Sequence, residues 1–279
     1  MSTESKPWPT VDDAANWWAT GVSRIEPDVI EYRGYPVQEL IGTITFTDTI
    51  WLLVRGDLPS RAQSALLDAA LMSGADHGPQ APSIAVARMA ITCGIGLNGA
   101  MASAVNTLGD VHGGAGQECL DLLLDMQRNI ESGADRDEVA ASIVARYRER
   151  GGYVPGFGHR FHRRDPRRDP LMSLLESAAK QGDIGGQHLA NITAIESALG
   201  RAGTRPVPMN IDGATAATYA ELGFAPELAR GLFVLGRSVG ILANAWEERN
   251  SGRRIKGPLP PPMTAPYTGP ATRHLPDAG

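Results

Sequence analysis

The stretch Val154 to Arg167, V-P-G-F-G-H-R-F-H-R-R-D-P-R, carries the densest chemistry in the chain. It sets an imidazole, His159, directly after the turn Gly156-Phe157-Gly158, and a guanidinium, Arg167, a few residues on. Glycines flanking an aromatic let backbone approach a ligand closely, and arginine recognises carboxylate or phosphate through a planar fork. The combination suits an anion held beside a general acid or base. Two further ionisable side chains stand at helix starts. His112 precedes Gly113 and Gly114, which can open a helix and leave its first N–H groups exposed. Asp212, in Pro208-Met209-Asn210-Ile211-Asp212-Gly213-Ala214, reads as the N-cap of the helix that follows. A histidine beside glycine, or an aspartate before a helix, commonly serves structure alone; three such sites in one short helical chain weaken that reading.

Helices must position these groups. Apolar residues recur at helical spacing over Phe46 to Arg55, which stops at Gly56-Asp57-Leu58-Pro59, and Ser60 can cap a helix to about Met72. Further helices are expected over Ser83–Cys93, Gln117–Ile130, Arg136–Glu149, Leu171–Lys180, Gln187–Leu199, Ala214–Leu222 and Pro226–Glu248. The clearest strand candidate is Val29–Tyr32, before Arg33-Gly34-Tyr35. The fold class is therefore all-α. After Asn250 the chain turns to Gly, Pro and Arg, so Lys256–Gly279 is expected to be an extended, partly mobile tail.

Composition bounds the partners. The 279 residues are 42% hydrophobic and 20% charged, enough for one large core or two smaller ones. A net charge of -5 gives no drive toward nucleic acid or an anionic membrane, yet leaves room for a local basic pocket. Met1–Thr10 is polar without an apolar signal core, and no run of about twenty apolar residues occurs, so a soluble, cytoplasmic protein is expected. Cys93 and Cys119 lack CxxC spacing and read as buried free thiols, with no metal site.

Taken as an ordered set, Arg33-Gly34-Tyr35-Pro36-Val37-Gln38-Glu39-Leu40, Gly56-Asp57-Leu58-Pro59, Asp76-His77-Gly78, Val111-His112-Gly113-Gly114-Ala115, Pro155–His159 through Asp165-Pro166-Arg167, and Asn210-Ile211-Asp212 resemble the citrate synthase superfamily. The resemblance spans Arg33 to Trp246. No βαβ pattern surrounds the G-F-G, so a nucleotide-binding turn is set aside. The resemblance implies a helical homodimer with a large domain, residues 1–112 and 226–279, a small domain, residues 113–225, and an active site in the cleft between them. Gly236 and Gly240 in the last helix fit close helix packing.

Site roles follow from the same resemblance. Carbon–carbon chemistry beside a thioester needs a base for the α-proton, a donor to the enolate oxygen and an acid or base at the ketone oxygen. These fall on Asp212, His112 and His159, neutral imidazoles suiting both histidine roles. In cleavage, His159 takes the proton of the tertiary hydroxyl. His77, Arg167 and Arg237 hold the dicarboxylate, and Pro155, Gly156, Phe157 and Gly158 lie against coenzyme A through their backbone. Coenzyme A is substrate or product, and no tightly bound cofactor is implied. Only about one helix separates Pro59 from Asp76, so the chain resembles the short citryl-CoA lyase type and the lyase module of ATP-citrate lyase, while keeping His112. The expected reaction is citryl-CoA cleavage to acetyl-CoA and oxaloacetate. Citrate synthase-type condensation, and a catalytically silent dimer that binds acyl-CoA or a dicarboxylate, are the alternatives. In Arg254-Ile255-Lys256-Gly257-Pro258 a lysine stands where the family carries an arginine that reaches the partner subunit's site.

Overall fold

The computed structural model describes residues 10–203 and 207–275. Its elements run α1 Val11–Asn16, β1 Ser23–Glu26, β2 Val29–Tyr32, β3 Tyr35–Pro36, α2 Val37–Leu40, α3 Phe46–Arg55, α4 Arg61–Gly74, α5 Pro82–Thr92 and α6 Leu97–Val105. They continue as α7 Ala115–Glu131, α8 Arg136–Glu149, α9 Arg168–Gln181, α10 Gln187–Ala202, α11 Ile211–Glu221 and α12 Pro226–Asn250. Every long helix expected from the sequence is present, and Val29–Tyr32 is the middle strand of a small antiparallel sheet ordered β1-β2-β3. Arg33 and Gly34 form the turn into β3 with φ of 51° and 88°, a left-handed pair that joins antiparallel strands tightly. Arg33 is held there by its own side chain, which donates to the carbonyls of Leu53 and Gly21.

Local chemistry sets the helix ends. Thr45 and Asp48 form a reciprocal capping box for α3, which Gly56 closes in the left-handed region at φ 94°. Ser60 and Gln63 exchange the equivalent pair of bonds at the start of α4, as the Ser60 cap required. Periodicity missed the short α1 and α2 and, among the longer helices, α6. Its sequence, LNGAMASAV, is too small and uniformly apolar to show an amphipathic stripe. Its small side chains are the reason it can bury Ala100 and Ala104 completely in a cluster with Ile84, Ala87, Ile241 and Ala245 of α5 and α12.

Internal contacts divide the chain into two compact units, one from the segments up to Ala70 and Cys119–Ala225, the other from Leu71–Glu118 and from Pro226 onward. In the first, α10 packs on α8 and α11, and α9 on α11, around fully buried Leu120, Leu123, Leu175, Ile192 and Ile195. The carboxylate of Glu221, at the end of α11, accepts the N–H groups of Gly186, His188 and Leu189 and so caps α10. In the second, α5, α6 and α12 pack on one another. By length and composition α12 is long and apolar enough to cross a membrane, a test that core helices also pass; it buries Arg237 and Glu248.

Two sequence expectations are corrected. Cys93 is exposed, because it caps the end of α5 rather than facing the core; Cys119 is buried, and both are free thiols. The start of the expected mobile tail is anchored: Ile255 N–H donates to the Thr92 carbonyl, Lys256 N–H to the Thr92 hydroxyl, and Lys256 Nζ to both oxygens of Glu248 at 3.3 and 3.1 Å. Beyond it, the described residues to Leu275 form no helix or strand and are exposed.

Candidate active site

In the first unit the turn Gly156-Phe157-Gly158 is bolted to the start of α11. Gly158 N–H donates to Pro208 O, Asn210 N–H to Gly156 O, and Phe157 pairs with Met209 in an antiparallel bridge. A side chain at Gly156 is excluded. A Cβ on Gly156, whose φ is +83°, would lie 2.7 Å from Cys119 Sγ and 2.8 Å from Gly213 Cα. Cys119 is a packing residue here: burial, with Asp212's negative charge adding to it, pushes its thiol well above the ordinary range.

Asn210, not Asp212, is the N-cap of α11. Its Oδ1 accepts from Asp212 N–H at 2.9 Å and Gly213 N–H at 3.2 Å, while its Nδ2 donates to Gly158 O at 2.6 Å. One buried carboxamide therefore ties the turn that precedes His159 to the helix turn that carries Asp212. Asp212 sits half-buried in the second helical position.

His159 is half-buried, and its Nδ1 accepts two backbone N–H groups, from Phe161 at 3.0 Å and His162 at 3.1 Å. That hydrogen-bond pattern places the ring proton on Nε2. Burial first, then the charges of His162, Arg167 and Arg160, hold its pKa below the usual histidine value against the opposing pull of Asp165. The neutral ring thus presents a donor at Nε2.

Arg167 is engaged by Asp165. Its Nε and Nη2 donate to the two oxygens of Asp165 at 3.0 and 2.8 Å, a fork on a carboxylate that is 1% exposed. Burial raises the pKa of Asp165, but the bonds and charge of Arg167 outweigh it and hold the carboxyl below its ordinary value.

In the second unit, His112 stands at the N-terminus of α5. Its Nε2 accepts from Ser83 N–H at 3.2 Å and lies 3.0 Å from Ser83 Oγ. The proton consequently sits on Nδ1, and the positive end of α5 opposes a second one. Burial, then the charge of Arg237, lowers the pKa of His112 as well. Arg237 is 5% exposed and donates from Nε to Gly74 O at 2.8 Å, while its guanidinium lies 5.0 Å from the Phe233 ring centre. The chain just before half-buried His77 is gripped by α12: Gly240 N–H bonds Ala75 O, and Asn244 Nδ2 bonds Asp76 Oδ1. A Cβ at Gly236 would meet Leu71 O at 2.8 Å and one at Gly240 would strike Ala75 O, so the two glycines do serve close packing.

Pro155–Gly158 is the segment expected to lie against coenzyme A. Pro155, Gly156 and Phe157 are buried, and Gly156 and Gly158 spend backbone groups on residues 208–210, which leaves half-exposed Gly158 as the exposed edge of that turn. Sequence reasoning missed Ser83, which fixes the His112 tautomer, and gave no role to Asp165 or Asn210. Asp165 had a signal in the Asp-Pro-Arg spacing; Ser83 had none, being distant in sequence from His112.

Comparison with known proteins gives the following. The family model described as citrate synthase, C-terminal domain, matches residues 14–74 and 61–258. The chain is 31% identical over 225 residues to a citrate synthase from Acidithiobacillus ferridurans, covering 78% of this chain and 53% of that protein. It spans about half the length of the curated citrate synthases it matches, 53% for that protein and for the one from Haloferax volcanii. Among solved structures, a citryl-CoA lyase from Hydrogenobacter thermophilus superposes with a TM-score of 0.81 at 30% identity, covering 93% of this chain and 97% of that one. Citrate synthase from Pyrobaculum aerophilum superposes with a TM-score of 0.65 at 25% identity, covering 84% and 55%.

Proposed function

Since the chain belongs to the citrate synthase family, we propose that it makes or breaks a carbon–carbon bond beside a coenzyme A thioester, as a citryl-CoA lyase that yields acetyl-CoA and oxaloacetate. The observation that supports the lyase reading is structural likeness: the citryl-CoA lyase superposes with a TM-score of 0.81 at 30% identity, against 0.65 at 25% for the citrate synthase from Pyrobaculum aerophilum.

In this reading the tertiary hydroxyl of citryl-CoA ionises to an alkoxide that accepts a hydrogen bond from His159 Nε2–H, and its proton leaves to solvent. The carbonyl re-forms as the carbon–carbon bond breaks, and the electron pair moves onto the thioester oxygen, held by His112 Nδ1–H. Asp212 returns a proton to the α-carbon and is reprotonated from solvent. His77, Arg167 and Arg237 take the carboxylates of the keto acid, and Gly158 marks the edge toward coenzyme A. Condensation uses the same groups in reverse. Two copies form the assembly in this reading, which sedimentation measures directly.

The test is to incubate purified protein with citryl-CoA and, separately, with acetyl-CoA plus oxaloacetate, while following thioester, free thiol and keto acid. The lyase releases oxaloacetate from citryl-CoA without free thiol. Free thiol appearing from acetyl-CoA and oxaloacetate makes the protein a synthase, and no change in either mixture refutes both.

A further inference from the structure

Asp165 has no role in the chemistry above, yet it is the most heavily bonded carboxylate in its unit's site. At 1% exposure it accepts Arg167 N–H at 3.1 Å, Arg167 Nε at 3.0 Å, Arg167 Nη2 at 2.8 Å and Ile211 N–H at 3.2 Å. The last of these is a helix-start donor. The first N–H groups of α11 have no partner within the helix; Asn210 takes those of Asp212 and Gly213, and Asp165 takes that of Ile211. One buried carboxylate therefore fixes one edge of the Arg167 guanidinium and completes the turn that carries Asp212.

We propose that Asp165 is a positioning residue, which orients Arg167 toward a substrate carboxylate and seats Asp212 through the backbone of α11, so that keto-acid recognition and base placement share one anchor. This deepens the functional reading and rests on it. An aspartate is required by its charge state: all its contacts are N–H donors, two of them cationic, and only a carboxylate accepts on both atoms. An asparagine of the same shape turns an NH2 toward either Arg167 Nη2 and Ile211 N–H or the other pair.

The experiment is calorimetric and kinetic comparison of wild type, Asp165→Asn, Arg167→Gln and the double variant, with oxaloacetate and acetyl-CoA as probes and helical circular dichroism as the check on folding. For Asp165→Asn, oxaloacetate affinity is expected to fall about 10- to 100-fold, the scale of one lost charge-assisted hydrogen bond. Acetyl-CoA affinity should stay within about 2-fold, and kcat should fall as well, because Asp212 is displaced. A merely structural role moves both ligands together. Adding Asp165→Asn to Arg167→Gln should cost no further oxaloacetate affinity yet still lower kcat, since only the α11 contact remains to be lost. The double variant carries two neutral amides, so it keeps the test open if the single variant does not fold. A folded Asp165→Asn protein with wild-type oxaloacetate affinity overturns the inference, as do additive losses in the double variant. Wild type that binds neither probe refutes the functional reading instead.

Discussion

Replacing Lys256 by methionine separates an anchor from a site residue. Its Nζ bonds both oxygens of Glu248, whose side chain is 0% exposed, while Lys256 itself is 38% exposed. Removing one partner of a buried ion pair costs about 3–5 kcal/mol when the remaining charge is left uncompensated. Glu248 is not left so, because Arg88 holds it at 2.6 Å. Solvent reaching Lys256 reduces its share further. The expected loss is therefore about 1–2 kcal/mol, a fall in Tm of about 2–6 °C, read by scanning calorimetry. The pH dependence has a definite sign. Burial raises the pKa of Glu248, but Lys256 and Arg88 outweigh it and hold the carboxyl below its ordinary 4.5. That stabilisation is complete above the unfolded-state value and is lost as pH falls through the lower folded-state value. Lys256→Met should accordingly shrink the acid dependence as well as lower Tm, while oxaloacetate affinity holds. An unchanged melting curve with weakened oxaloacetate binding refutes this reasoning and returns Lys256 to the substrate.

Three further outcomes are expected. Asp212→Asn should lower turnover roughly 10²- to 10⁴-fold with the melting curve unchanged, because Asn210 still caps α11; near-wild-type turnover removes Asp212 from the chemistry. Asn210→Asp keeps the cap but points an oxygen at Gly158 O in place of a donor at 2.6 Å, so the urea midpoint should drop by the equivalent of about 1–3 kcal/mol; an unchanged midpoint refutes the tie between turn and helix. His188 is 5% exposed with an unpaired Nδ1, and burial lowers its pKa from 6.5 against the pull of Glu221 and Glu131. Its stabilisation is present above pH 6.5 and lost as pH falls from there through the lower folded-state value, so His188→Gln should flatten the dependence of the urea midpoint on pH between those two values, and a wild-type midpoint that does not fall there contradicts it.

What the sequence made legible follows from how each feature is encoded. Helices with large apolar residues at regular spacing, such as α3 and α7, declare their inward face, and Thr45, Ser60 and Gly56 mark their ends through backbone bonds that need only neighbours in the chain. α6 declares nothing, because alanine and glycine are as compatible with a loop as with a helix until α5 and α12 supply the surfaces against which their smallness is an advantage. The site divides along the same line. Side chains whose type announces chemistry, His112, His159, Arg167 and Asp212, could be picked out singly, but the tautomer of His112 depends on Ser83 N–H, far off in sequence, and the Asp165 carboxylate that forks Arg167 also holds the distant Ile211 N–H. A general acid cannot be told from a general base by residue type alone. It is the pair of backbone donors on His159 Nδ1, a product of how residues 159–162 turn, that makes its Nε2 a donor.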